Sequence, residues 1–185
     1  VSCYQLTVSR ETPLWETLEA GLIRLPDEEQ ERSLFLTASE VLEGQGFVHY
    51  EVSNYARGDS CVCRHNVKYW ERAPYLGLGP SAHSYNGHSR RWNKSSMKDW
   101  FALDEYFSEF YEEEVLTRDQ RYNEYVMTSL RTVWGCDKIL ILQEFGPSYQ
   151  DHFLFNIEKH VIENMIEERK GRFFLTSKGK LFADG

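Results

Sequence analysis

The feature that most constrains the fold is a succession of strand-like and helix-like apolar patterns in the first 53 residues. Apolar and polar side chains partly alternate over residues 1–8, as in a strand. Residues 27–44 start with an acidic run after Pro26 and then place apolar side chains at helical spacing. Residues 47–53 read as a second strand. This order, with short connections, predicts a βαβ unit with a parallel strand pair.

Residues 56–96 have no helical apolar period but are rich in Gly, His and aromatic side chains. A long connection of this composition is typical of a functional loop. From Met97 onward the pattern predicts a helix, with the acidic run at 112–114 as its solvated end. The apolar positions of that helix are Trp100, Leu103, Tyr106, Phe107 and Phe110.

The remaining sequence predicts helices followed by a small strand ribbon, which is typical of a winged-helix arrangement. Residues 119–134 form the first helix, Asp137 caps a short one that runs through Glu144 and is stopped by Gly146 and Pro147, and residues 148–169 form a longer one. Residues 170–176 then read as a strand, and Thr176 as the cap of a last helix. We therefore expect two domains, residues 1–112 and 113–185.

Charge and composition narrow the class of protein. The net charge of −8 disfavours a partner that binds through its phosphate backbone. A DNA-binding winged helix at 120–185 is disfavoured further because its third helix is acidic, with Glu158, Glu163, Glu167 and Glu168. No apolar run approaches the ~18 residues of a membrane span, and no signal peptide is recognised. Four cysteines without framework spacing favour a reducing compartment, so a cytoplasmic protein is expected.

Residues 75–84, YLGLGPSAHS, are the first candidate for a ligand site. Gly77 and Gly79 lack a Cβ, so that a ligand can approach the main chain closely. A dinucleotide site of the Rossmann type is disfavoured because a third glycine is missing and Pro80 has no N–H. The alternative is a tight strand followed by a turn.

Residues 65–70, HNVKYW, are the second candidate. His65 offers an imidazole that can ligate iron, and Tyr69 and Trp70 offer flat faces for a porphyrin or another planar ligand. Alternatively, His65 and Asn66 bond to nearby backbone groups and the two rings pack beneath the loop.

Two further patterns carry less specific signals. Cys61 and Cys63 lie next to His65, but C-x-C alone is a weak metal motif and structural zinc needs four ligands. Arg90 and Arg91 suit a carboxylate or propionate, or simply pair with acidic neighbours.

Four motifs occur in an order that resembles the C-terminal half of the oxygen-independent coproporphyrinogen III oxidase-like radical SAM family, HemN/HemW. They are YQLT with TPL (4–7 and 12–14), YEVSNYA (50–56), HNxxYW (65–70) and YLGLGPSAHS (75–84). The resemblance covers nearly the whole chain. It implies an α/β plus α+β fold, in which the C-terminal strands of a partial (β/α)₆ radical SAM barrel precede a small helical, winged-helix-like domain.

The HNxxYW motif resembles the haem-chaperone branch of this family. It implies His65 as the haem ligand, with Asn66, Tyr69 and Trp70 beside the haem. The glycine-rich motif resembles the last barrel strand, whose residues approach S-adenosylmethionine (SAM). The resemblance therefore places four residues on the SAM or substrate side: Gly77, Gly79, Ala82 and His83. His83 is also the rival haem ligand.

The family also implies a [4Fe–4S] cluster held by three cysteines, with SAM on the open iron. The C-x₃-C-x₂-C motif of that cluster does not occur in these 185 residues, so this chain alone is expected to lack cluster and radical chemistry. The implied ligands are haem or a porphyrinogen, and haem-receiving proteins are possible partners. Two activities stay open: haem delivery, and oxidative decarboxylation of coproporphyrinogen III to protoporphyrinogen IX. Self-association is expected through the edge of the first strand.

Overall fold

A computed structural model describes residues 1–102 and 110–183 as a mixed α/β protein. In chain order its helices and strands are α1 (Pro13–Glu19), α2 (Glu28–Gly44), β1 (Val48–Glu51), β2 (Asn54–Ala56), α3 (Arg64–Trp70), β3 (His83–Tyr85), β4 (Ser89–Asn93), α4 (Met97–Phe101), β5 (Tyr111–Val115), α5 (Arg118–Leu130), β6 (Cys136–Asp137), α6 (Lys138–Phe145), α7 (Pro147–Ile162), β7 (Ile166–Arg169), β8 (Arg172–Leu175) and α8 (Ser177–Lys180).

The predicted parallel βαβ unit is wrong. Residues 1–8 form no strand, and their only ladder contact in the described structure is an isolated bridge between Ser2 and Asn54. The second predicted strand reverses after Glu51 and pairs with β2 in an antiparallel hairpin. The turn forms because the Glu51 carboxylate accepts hydrogen bonds from the Asn54 amide and the Ser53 backbone N–H. All strand pairs of the described sheets are antiparallel.

The second sheet has the order β3-β4-β5 and corrects two further predictions. Residues 112–114 are the centre of β5 rather than the end of a helix, because their carboxylates lie opposite cationic and aromatic side chains of β4. The stretch 56–96 does contain a helix, α3, which is too short to reveal a period. The predicted helix from Met97 is seen as α4, whereas Leu103, Tyr106 and Phe107 lie outside the described residues.

The C-terminal elements follow the predicted order, but two helices are shorter than predicted: α5 ends at Leu130 and α7 at Ile162. Asp137 caps α6 through the Ile139 N–H at 2.8 Å, and Thr176 caps α8 through the Gly179 N–H at 3.0 Å. The long helix ends at Ile162, because Asn164 adopts a left-handed φ of 57° and the chain continues as β7. The third sheet has the order β6-β8-β7.

The main core packs α5, α6 and α7 against this third sheet. Its buried residues are Tyr122, Tyr125, Cys136, Ile141, Phe145, Phe153, Ile157, Ile166 and Phe173. Inside it, the Tyr125 hydroxyl accepts a hydrogen bond from the Asp137 N–H at 2.9 Å. Burial raises the pKa of the Cys136 thiol to about 11, so that it stays protonated. Among the described residues, no helix is long and apolar enough to span a bilayer.

Candidate functional site

The centre of the candidate site is the short helix α3, which carries the HNxxYW motif. His65 and Tyr69 are four residues apart, and therefore lie on one helix face. Their rings meet edge to face with centroids 5.1 Å apart, and the Tyr69 hydroxyl lies 3.4 Å from His65 Nε2. Both side chains are exposed. The structure thus brings an accessible imidazole and an aromatic ring together.

The other two residues of the motif face the protein. Asn66 is partly buried and lies beside the phenol of Tyr50 on β1. Trp70 is also partly buried and has the Arg131 guanidinium 5.5 Å from its ring centroid. Its Nε1 is buried and has no hydrogen-bond partner among the described residues. One helical step therefore separates an outward Tyr69 from an inward Trp70.

A row of aromatic side chains continues from α3 into the glycine-rich segment. Tyr69 packs edge to face on Tyr75 with centroids 4.8 Å apart, and Tyr75 lies 6.3 Å from Tyr85. The Lys68 ammonium lies 5.1 Å from the Tyr69 ring centroid and 6.0 Å from that of Tyr75. Tyr75 and Tyr85 were not predicted as site residues, although Tyr75 is the first residue of the glycine-rich motif.

The two glycines of that motif have different roles. A Cβ on Gly77 would lie 2.0 Å from the His83 carbonyl oxygen, so this space is filled by the protein's own backbone. Gly79 has a φ of +97° and no heavy atom within 4 Å of a Cβ position. Its carbonyl accepts from the Asn93 amide at 2.8 Å and from the Ala82 N–H at 3.3 Å. Gly79 is therefore the glycine that leaves room for a ligand.

His83 belongs to a different group of rings from His65. It starts β3, is exposed, and lies 6.4 Å from the Trp92 ring on the paired strand β4. The measured ring contact of His65 is with Tyr69 instead. The two candidate ligands therefore face separate aromatic surroundings.

The two arginines beside this site are paired with acids. Arg90 Nη2 lies 2.8 Å from Glu124 Oε1, and Arg91 Nε lies 3.3 Å from Glu113 Oε2. Hydrogen bonds from Ser89 and Arg91 lower the pKa of Glu113, so that it stays a carboxylate. Arg91 also lines a cavity of about 360 Å³ together with Tyr75, Leu76 and Leu78.

The cysteines do not fit a cluster site. Cys61 and Cys63 are exposed and free, whereas Cys136 is buried in the C-terminal core. In residues 1–102 and 110–183, no three His, Cys, Asp or Glu side chains converge on a common point where a metal ion could bind. A [4Fe–4S] cluster with three cysteine ligands therefore does not fit the described residues.

The C-terminal core matches a known family. Residues 116–182 match the HemN C-terminal domain. By structure, the chain resembles coproporphyrinogen III oxidase (HemN) from Escherichia coli, a radical SAM enzyme, with a TM-score of 0.64 and 21% identity over 86% of this chain and 40% of that one. The fold is thus that of the HemN C-terminal region.

Sequence relatives extend the match over the whole chain. Heme chaperone HemW of Bacillus subtilis (strain 168) is 27% identical over 99% of this chain and 48% of that protein. HemW of Mycobacterium tuberculosis (strain ATCC 25618 / H37Rv) is 29% identical over 100% and 45%. The mitochondrial radical S-adenosyl methionine domain-containing protein 1 of Danio rerio is 45% identical over 45% of this chain and 18% of that protein.

The C-terminal part of the chain thus matches the HemN C-terminal domain, and the whole chain is similar in sequence to HemW proteins. It spans about half the length of the curated relatives that it matches along its whole length.

Proposed function

We propose that this chain carries the haem-binding surface of a haem chaperone, with His65 as the axial ligand of the iron. The observation that carries the proposal is the exposed His65–Tyr69 pair on one face of α3. An exposed imidazole is accessible to iron, and an adjacent ring offers apolar contact to a planar macrocycle. Relatives named heme chaperone HemW support the same role.

The surroundings of His65 suit a large planar cargo. Leu76 and Leu78 are 77% and 79% exposed, and they follow Tyr75 directly in the chain. Tyr75 in turn contacts Tyr69. Apolar side chains exposed this far are suited to cover the face or edge of a macrocycle. In this proposal Trp70 and Asn66 hold α3 in place, whereas Tyr69 touches the haem.

The same proposal includes a binding position for SAM next to residues 77–83. Gly79 leaves open space, and Ala82 and His83 follow it, so these three residues are the ones that we assign to the SAM or substrate side. Gly77 serves packing against His83 and is not assigned to the ligand. The [4Fe–4S] cluster supplies electrons for SAM cleavage in the family, and we assign none of its ligands to the described residues.

We place these sites in residues 1–112 and treat residues 113–185 as a separate winged-helix-like domain. The order helix, strand, two helices and a strand hairpin supports this comparison.

Four free cysteines support a reducing compartment such as the cytoplasm. Proteins that accept haem would be the partners.

The test is a titration of the chain with ferric haem, followed in the Soret region. We expect His65→Ala to lose the spectral signature of imidazole ligation, because the axial bond is removed. Tyr69→Phe should keep that signature, because the ring remains. His83→Ala removes the rival ligand and should keep the signature of imidazole ligation. An unchanged titration in His65→Ala together with a loss in His83→Ala would move the axial role to His83.

The second candidate function is oxidative decarboxylation of coproporphyrinogen III, as suggested by the name of the structural relative from E. coli. It requires cluster ligands that we do not assign to the described residues. Incubation of a protein that contains the three-cysteine motif with coproporphyrinogen III, SAM and a reductant separates the two functions. Formation of protoporphyrinogen IX would favour the oxidase, and haem binding without this product would favour the chaperone.

A further inference from the structure

The cavity beside the aromatic row lies close to His65. Tyr75 lines this cavity and packs on Tyr69 with centroids 4.8 Å apart, and Tyr69 packs on His65 with centroids 5.1 Å apart. The cavity therefore begins two ring contacts away from the proposed iron ligand. A planar cargo larger than one aromatic side chain can reach both places at once.

The walls of the cavity combine apolar and polar groups. Leu76 and Leu78 form an apolar side. The polar lining comes from β3, β4 and the turn between them: Ser84, Asn86, Ser89, Arg91 and Asn93. Among the described residues that line the cavity, Arg91 is the one with a formal charge. These walls suit a ligand with an apolar plane and a carboxylate on its edge.

Arg91 has hydrogen-bonding capacity beyond its contact with Glu113. That ion pair engages Nε at 3.3 Å, and the Arg91 and Glu113 side chains are 46% and 31% exposed, so solvent screens the pair. A guanidinium carries five N–H donors, and its two terminal nitrogens can bind a carboxylate side by side. The Arg91 guanidinium carbon lies 4.4 Å from the Tyr111 ring centroid, within the range of a cation–π contact.

Arg90 provides the contrast. Adjacent residues of a strand point to opposite faces of the sheet, and Arg90 is bound to Glu124 of α5 at 2.8 Å. The two arginines therefore serve different surfaces, although the sequence places them side by side.

We propose that Arg91 binds a carboxylate of a planar tetrapyrrole whose macrocycle covers the row His65, Tyr69 and Tyr75. The proposal rests on the proposed function and adds the residue that selects a cargo with free carboxylates. Glu113 competes with the cargo for the guanidinium.

The test compares three ligands on the same chain: ferric haem, its dimethyl ester, and iron-free protoporphyrin IX. We expect Arg91→Gln to bind haem and protoporphyrin IX about tenfold more weakly than the wild type, because a charge-assisted bidentate contact is lost. Binding of the dimethyl ester should be unchanged. Glu113→Gln should bind haem more tightly, and Arg90→Gln is the matched control that should leave all three affinities unchanged.

The outcomes separate this inference from the proposed function. Equal losses of haem and of its ester in Arg91→Gln, or no loss in either, would overturn the role of Arg91. If in that case His65→Ala alone changes haem binding, the role of His65 as the iron ligand is retained. If Arg91→Gln weakens binding of haem but not of its dimethyl ester, and His65→Ala has no effect, the carboxylate site is retained and His65 is rejected as the iron ligand. A wild-type chain that binds none of the three ligands rejects both. Circular dichroism of each variant verifies that it is folded.

Discussion

His49 is a buried histidine whose two ring nitrogens both have partners. The residue is 7% exposed as part of β1, and its ring stacks on that of Tyr55 with centroids 4.0 Å apart. Nε2 lies 2.8 Å from the Val52 carbonyl and therefore carries the proton, whereas Nδ1 accepts from the Lys180 ammonium at 3.0 Å. Burial and then the charge of Lys180 lower the His49 pKa to about 4. His49 is thus neutral at pH 7, and the 3.8 Å approach of Glu43 is not an ion pair there.

This arrangement predicts an acid-sensitive step in stability. The pKa of His49 is about 4 when folded and 6.5 as the reference value, so the unfolded chain binds more protons between these limits. The free energy of unfolding should therefore fall as the pH drops from 6.5 towards 4, by on the order of 3 kcal/mol at most. His49→Gln keeps polar groups for both partners but does not titrate. Urea unfolding at pH 7 and pH 5 should show a smaller difference for this variant, and equal differences would contradict the assignment.

At the level of helices and strands, the sequence predicts most where a pattern is long. The 17 residues of α2 span several turns, and both the helix and its start at Asp27 were predicted. The seven residues of α3 complete about two turns and were missed. Residues 112–114 were assigned to a helix end because a run of three glutamates indicates solvent. Their place in β5 depends on pairing with Arg90 and Arg91, which lie more than 20 residues away.

The candidate site shows the same limit. The HNxxYW motif predicted His65 and Tyr69, which the structure brings together at the surface. Tyr75 meets Tyr69 only through the packing of α3 on the glycine-rich segment, and Arg91, a carboxylate ligand candidate from the sequence, faces Glu113 through the register of β4 with β5. Such contacts depend on tertiary structure, and no local pattern encodes them.

Gly77 links the glycine-rich segment to strand β3 and offers a test at this scale. Its N–H donates to the Ser84 hydroxyl at 3.0 Å, and an added methyl group would meet the His83 carbonyl at 2.0 Å. Gly77→Ala should therefore lower the free energy of unfolding by roughly 1–3 kcal/mol, because the backbone has to move. Gly44→Ala is the control. It adds a methyl group at the end of α2 with no heavy atom within 4 Å, and should be neutral or stabilising. Thermal unfolding of both variants measures the difference, and equal shifts would reject the close packing.

In the whole molecule, the N-terminal hairpin is joined to the C-terminal core by backbone and side-chain bonds. The Val52 N–H donates to the Arg131 carbonyl at 3.1 Å, and the Val133 N–H donates to the Tyr50 carbonyl at 2.9 Å. The bond between Lys180 and His49 adds a contact from α8. Residues 49–52 are therefore held against the C-terminal elements at several points along β1 and the turn that follows it.

The opposite side of the hairpin region exposes apolar side chains that the described residues do not cover. Tyr4, Leu6, Leu34 and Val41 are 71%, 61%, 61% and 59% exposed. All but Val41 line a cavity of about 390 Å³ between residues 3–6 and α2. Association was expected from the edge of a first strand. Because residues 1–8 form no strand, we expect self-association through this exposed apolar surface instead.

We expect the purified chain to associate through this surface, because pairing two copies removes exposed apolar area from water. Light scattering should give a mass that rises with concentration above the 21.8 kDa of a monomer. Leu6→Glu combined with Leu34→Glu should shift the chain towards the monomer without unfolding it, since neither side chain is buried. Phe155→Glu is a matched control, because Phe155 is 79% exposed on α7 and lies outside this surface. A monomer at every concentration, or an equal effect of the control, would contradict this use of the surface.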